Sequence, residues 1–157
     1  MYYEAKAKYY RTDIEGAVKT INENYVVEAS NFAEAEMRTL EHIAALTDID
    51  FDRKVTALKQ SNIGNIIDES GEADGKFYRC KVSVLMVDDV TLRECAVPAY
   101  HLVYCCSIDD AGEQLKKYLD KKESEYDILS VQETNIVDII FDKTSKEEDN
   151  FPSVCNG

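Results

Sequence analysis

Polar and apolar residues alternate from the first positions of the chain. Tyr3, Ala5, Ala7 and Tyr9 share one side of an extended backbone, and Tyr2, Glu4, Lys6, Lys8 and Tyr10 share the other. The same alternation returns roughly 75 residues on, beyond the usual solenoid periods. There Tyr78, Cys80, Val82 and Val84 face one way, and Phe77, Arg79, Lys81 and Ser83 the other. Each run predicts a half-buried strand. Tyr25–Ser30 and His101–Cys106 read as the second strands of two hairpins, with Asp13-Ile14-Glu15-Gly16 and Asp88-Asp89 in the connections.

The period then changes in both places. Phe32, Ala35, Leu40 and Ile43, and later Ile108, Ala111, Leu115 and Leu119, recur at helical spacing and predict one buried helix face each. Asn31 stands three residues before Glu34, and Ser107 three before Asp110. A side-chain oxygen at the helix start can accept from a free early N–H, and the acid meets the positive end of the helix dipole. The longest match aligns residues 55–67 with 128–140 without a gap. Each is read as a third strand ending near Asn62 or Asn135. A short apolar turn is expected after it, because Ile63, Ile66 and Ile67, and Ile136, Ile139 and Ile140, have helical spacing.

These patterns predict an α+β protein made by tandem duplication of a β-β-α-β unit. The first repeat covers 1–67, a polar linker 68–76 and the second repeat 77–141. One helix over three strands buries little, so the two copies are expected to pair about a pseudo-two-fold, giving an antiparallel sheet with helices on one side. Residues 142–157 are charged without an apolar period and are expected to form a disordered acidic tail.

Composition narrows the function. The 157-residue chain carries a net charge of −13, which opposes docking on duplex DNA or an anionic membrane. No apolar run reaches the roughly 18 residues of a membrane span, and the first residues lack a secretory pattern. Five cysteines without a CxxC fit a reducing compartment, so a cytoplasmic protein is expected.

Catalytic and cofactor signals are sparse. Neither phosphate-binding glycine motif is present, and His42 and His101 belong to no triad pattern. Cys80, Cys95, His101, Cys105 and Cys106 fall in the second copy and raise the question of zinc. Ala5, Ala29 and Ser30 occupy the places of Cys80, Cys105 and Cys106 in the first copy, so the cysteines read as small buried side chains. Asp48-Ile49-Asp50-Phe51-Asp52 opens like a calcium loop, but Arg53 and Lys59 stand where glycine and glutamate are required. No metal, cofactor or enzymatic activity is expected.

One surface pattern carries chemistry. Tyr2, Lys6, Lys8 and Tyr10, with Phe77, Arg79 and Lys81, interleave rings and cations on the strand faces predicted to be exposed. Stacking rings beside phosphate-neutralising cations is how sheets hold single-stranded nucleic acid. Lysine on a strand also deters edge-to-edge pairing, and exposed tyrosine suits a sheet surface.

The order of parts also resembles a known family. The Tyr-rich opening, Ser30-Asn31-Phe32-Ala33-Glu34-Ala35-Glu36 and Lys76-Phe77-Tyr78-Arg79-Cys80-Lys81-Val82 are similar to an uncharacterised domain family of gut anaerobes and their tailed phages. The resemblance spans about residues 2–140 and implies a phage or mobile-element setting, hence a host cytoplasm. It supplies no catalytic residues. The tail, acids followed by Phe151-Pro152, resembles in part the tails of single-stranded-DNA-binding proteins, although Ser153–Gly157 follow the tip. The expected function is a non-enzymatic accessory protein that binds another protein. The alternative is a single-stranded nucleic-acid binder using Tyr2, Lys6, Lys8, Tyr10, Phe77, Arg79 and Lys81.

Overall fold

The computed structural model describes residues 1–68, 74–122 and 124–142. Its elements run β1 (Tyr2–Thr12), β2 (Val18–Glu28), α1 (Phe32–Ala44), β3 (Lys54–Gln60), β4 (Asn65–Ile67), β5 (Lys76–Val87), β6 (Glu94–Cys105), α2 (Ile108–Asp120), β7 (Tyr126–Glu133) and β8 (Ile136–Ile140). Two compact units result. One is Met1–Ser61 with Ile136–Gly157, and the other is Asn62–Asn135. The expected acidic tail lies outside the described residues, apart from Asp142.

Each unit is a four-stranded sheet with one helix packed on it. The strand orders are β3-β1-β2-β8 and β7-β5-β6-β4. The first three strands of each are antiparallel neighbours, and the fourth runs parallel to β2 or β6. The expected single antiparallel sheet is therefore corrected to two mixed sheets.

The expected helical turns after β3 and β7 are strands. β4 pairs with β6 in unit 2, and β8 pairs with β2 in unit 1. A short apolar run cannot be assigned by period alone. What decides it is the open edge of a neighbouring sheet, where consecutive β-branched residues can point to opposite faces. The crossings also explain why the compact units do not end at residues 67 and 77. Unit 1 takes its fourth strand, β8, from beyond unit 2, whereas unit 2 is one continuous segment in which β4 directly precedes β5.

Local chemistry sets the element ends. The Asp13 carboxylate accepts from the N–H groups of Glu15 and Ala17, and Gly16 takes the left-handed φ of +86° that closes the first hairpin. Asp88 plays the same part in the second, accepting from Val90 and Thr91. Asn31 caps α1 through the Glu34 N–H, and Ser107 caps α2 through the Asp110 N–H. Both lie where the sequence places them.

The two cores are built alike. In unit 1, Tyr3, Ala5, Ala7 and Tyr9 meet Tyr25, Val27, Ala35 and Ile43. In unit 2, Tyr78, Cys80 and Val82 meet Val103, Cys105, Ala111, Leu115 and Leu119. Alanines under the first helix let it approach the sheet closely, and Cys80 stands at the position of Ala5. Two expected helix residues, Phe32 and Ile108, are instead about half exposed at 51% and 49%. Thr39 takes a core place the sequence did not suggest, its hydroxyl donating to the Ala35 carbonyl.

The registers correspond as well. β1 and β3 slip between Lys6 and Ala7, and β5 and β7 slip between Lys81 and Val82. Part of the expected linker is a fitted contact rather than a spacer. The Gly75 N–H donates to the Tyr104 hydroxyl, and a methyl group there would lie 2.9 Å from both the Cys105 carbonyl oxygen and the Tyr104 ring.

Candidate nucleic-acid interface

The face of each sheet opposite its helix is here termed the outer face. On sheet 1, strand alternation puts Tyr2, Glu4, Lys6, Lys8 and Tyr10 of β1 on it. Pairing then sets Asn24, Asn22 and Thr20 of β2 beside Lys6, Lys8 and Tyr10. On the other side, β3 brings Lys59 beside Glu4, Ala57 beside Lys6 and Lys54 beside Lys8. Sequence patterning does not reveal Lys54 and Lys59 as part of this face. Their place depends on the one-residue slip at Lys6/Ala7, which leaves Thr56 as the extra residue. The Thr56 hydroxyl donates to the Lys6 carbonyl across that slip.

The two ends of this face differ. Val26 and Ile139 are buried next to the Glu4 and Glu28 end. Lys6, Lys54, Lys59, Asn22 and Thr20 are exposed, and Lys8 and Tyr10 are partly so. Among the described residues, ion pairs are made by Lys19, Arg38, Arg53 and Lys76, and Lys6, Lys8 and Lys54 enter none of them. The Lys8 ammonium lies 5.9 Å from the Tyr10 ring centroid. Beyond Tyr10 stands Phe51, its ring stacked 5.9 Å away at 23° and itself 59% exposed. The Thr47 hydroxyl donates to the Tyr10 carbonyl and steadies the loop that carries Phe51. The Asp48–Asp52 run that opens like a calcium loop is this loop, with Asp50 paired to Arg53 at 2.8 Å.

Sheet 2 places Phe77, Arg79, Lys81 and Ser83 on its outer face, but with a different outcome. Phe77 is 6% exposed and packs against Tyr104 at 4.8 Å. Its expected role as an exposed ring is corrected, because burying an aromatic is worth more than offering it to water. Arg79 and Lys81 are half-buried, with Gln132 and Ser130 of β7 beside them. The Lys81 ammonium lies 5.9 Å from the Tyr100 ring centroid. Each unit therefore assembles its own part of the expected stripe.

Other polar groups are committed to structure. Tyr25, 1% exposed, donates to Glu23, and burial together with that carboxylate pushes the phenol well above its ordinary range. Tyr9 beside it is raised for the same reasons, burial first. His42 meets the Tyr25 ring edge-on at 5.1 Å and lines a cleft of about 330 Å³ with Arg38, Glu41, Leu46, Phe141 and Asp142. Arg38 is already engaged there by Glu34, by Asp142 at 3.2 Å and by the Glu28 carbonyl. Cys80 and Cys105 are buried and free, and burial pushes the Cys80 thiol up to about 11. Among the described residues no group of three His, Cys, Asp or Glu could hold a metal ion. None of the described helices is long and apolar enough to cross a membrane.

One apolar surface remains. The outer parts of β5 and β6 and their turn expose Met86, Val87, Val90, Leu92 and Val97, with Val90 at 91% and Leu92 at 76%.

A protein-family model matches residues 1–143 of the chain. No curated protein and no solved structure matches.

Proposed function

The chain belongs to the family described as Domain of unknown function (DUF4494), and from the structure we propose that it is a non-enzymatic accessory protein that binds single-stranded nucleic acid on the outer face of sheet 1. The observation that carries the reading is that Lys6, Lys8 and Lys54 share the open part of this face with the Tyr10–Phe51 stack. Cations on such a face neutralise phosphates, and the open side of Phe51 offers a base a ring to stack on. The Asn22 and Asn24 amides supply donors and acceptors between them. A duplex fits this face poorly, since the net charge of −13 acts over the whole of a large polyanion.

Binding rather than catalysis fits the burial of several reactive groups. Tyr9, Tyr25 and Cys80 are closed into the two cores, none of them more than 1% exposed. The matching strand orders and bulge positions support an origin by tandem duplication. The phage or mobile-element setting in gut anaerobes, with a host-cytoplasmic location, rests on resemblance alone.

The exposed apolar ribbon of β5 and β6 favours a second reading, that the chain docks on another protein. Five large apolar side chains in water on one arm are more than a surface scatter.

Fluorescence anisotropy with a labelled single strand at low salt tests the first reading. Saturable binding, weakened alike for all sequences by the K6E/K8E double variant, is expected. No binding at micromolar protein ends it and leaves the protein partner.

A further inference from the structure

Unit 2 holds a histidine where unit 1 holds a tyrosine. His101 pairs with Cys80 of β5 and with Asn65 of β4. Tyr25 pairs with Ala5 of β1 and with Asp138 of β8. The two sites correspond residue for residue, but their polar groups are satisfied differently. The Tyr25 hydroxyl donates to Glu23 on its own strand. His101 is 8% exposed, and its Nδ1 has no hydrogen-bond partner. The Asn65 Nδ2 on the neighbouring strand is also buried and without one.

The surroundings of His101 suit a neutral ring. From β5, Cys80 faces it as a fully buried, protonated thiol. From α2, the Tyr118 ring meets it edge-on at 5.7 Å. The Lys122 ammonium, 4.8 Å from the Tyr118 ring centroid, adds positive charge. From β4 comes the Asn65 amide. A thiol, a phenol, an ammonium and an amide supply none of the negative charge that a buried imidazolium requires. The strand beside the ring is also the one most easily given up. β4 has three residues, and β6 is its one strand neighbour.

We propose that His101 is a pH-sensitive latch for β4: the neutral ring seats the strand on β6, and the protonated ring releases it, so that the imidazolium gains water. Burial first, and Lys122 second, hold the seated imidazole below its ordinary 6.5. The seated state therefore binds fewer protons than the released one. The hold on β4 is full above about pH 6.5 and is lost as pH falls below it, by up to tenfold in the opening equilibrium per pH unit. Unit 1 has no such latch, because Tyr25 carries no charge in this range.

Amide hydrogen exchange on the full chain tests this, with protection factors corrected for the intrinsic effect of pH. Between about pH 7.5 and about pH 5.5, protection of Asn65–Ile67 is expected to fall several-fold, up to about tenfold, while that of Ile136–Ile140 stays level. H101Q, which cannot take the charge, should remove the pH dependence. N65D keeps the histidine and sets a carboxylate beside it, as Asp138 stands beside Tyr25. That variant should lessen or reverse the fall. Unchanged β4 protection in the parent, an equal loss in β8, or the same fall in N65D as in the parent would overturn the proposal.

Discussion

Sheet 1 and sheet 2 share strand order, bulge position and donor register, yet their outer faces have gone separate ways. On sheet 1 the face beyond Val26 stays open, with Lys6 and Lys54 in water and Phe51 stacked on Tyr10. On sheet 2 Phe77, which stands where sheet 1 has Tyr2, is packed against Tyr104, and Arg79 and Lys81 are half withdrawn. The cores differ far less, with Ala5 in one answered by Cys80 in the other. The helix side of this unit is constrained by packing, whereas the outer side is free to diverge.

The largest effects test the likeness of the cores. Ile43→Ala in unit 1 and Leu115→Ala in unit 2 each empty a fully buried site, and each is expected to cost about 2–5 kcal/mol. Because sheet 1 is completed by β8 from beyond unit 2, calorimetry on either variant should show one transition. Two separated transitions would mean that the halves are independent and that β8 does not couple them.

A smaller effect is expected at Gly75, where unit 2 has a close approach. Gly75→Ala forces a methyl into the Cys105 carbonyl and the Tyr104 ring, a strain of about 1–3 kcal/mol. Chemical denaturation measures it. A variant as stable as the parent would show that this end of the linker has room to move.

Smaller still is an alkaline effect centred on unit 1. Tyr25 and Tyr9 have phenols raised above 10.0 by burial and by Glu23. Above pH 10 the unfolded chain loses these protons first and binds fewer than the folded one. Their contribution is therefore full below pH 10 and is lost progressively as pH rises towards the folded values. Tyr25→Phe should flatten that decline in a pH series of thermal melts, and an unchanged slope would remove the Tyr25–Glu23 pair as its cause.

Much of this was legible in the chain. The alternation of Tyr3, Ala5, Ala7 and Tyr9 gave the core face of β1, and Asn31 and Ser107 marked both helix starts. The cationic stripe was visible at Lys6 and Lys8. Its other half, Lys54 and Lys59, was not, because which lysines stand beside Lys8 and Glu4 is set by a bulge and no periodicity records one. The donated strands were hidden for a related reason. Ile63, Ile66 and Ile67 satisfy a helical spacing and a short strand equally, and the sheet edge that decides between them lies far away in sequence. Phe77 was misjudged because alternation gives a side, and only the fold gives what covers that side.

The most direct test of the binding claim is the salt dependence of single-strand affinity, compared between two matched variants. Removing one cation that neutralises a phosphate should lower the slope of log K against log salt by about 0.7 for a single strand. K6E/K8E on sheet 1 is predicted to flatten the slope by roughly 1.4, the sum for two lysines, while R79E/K81E on sheet 2 leaves it close to that of the parent. Equal slopes for the parent and K6E/K8E, or a larger change from the sheet 2 variant, would contradict the assignment of the binding face to sheet 1.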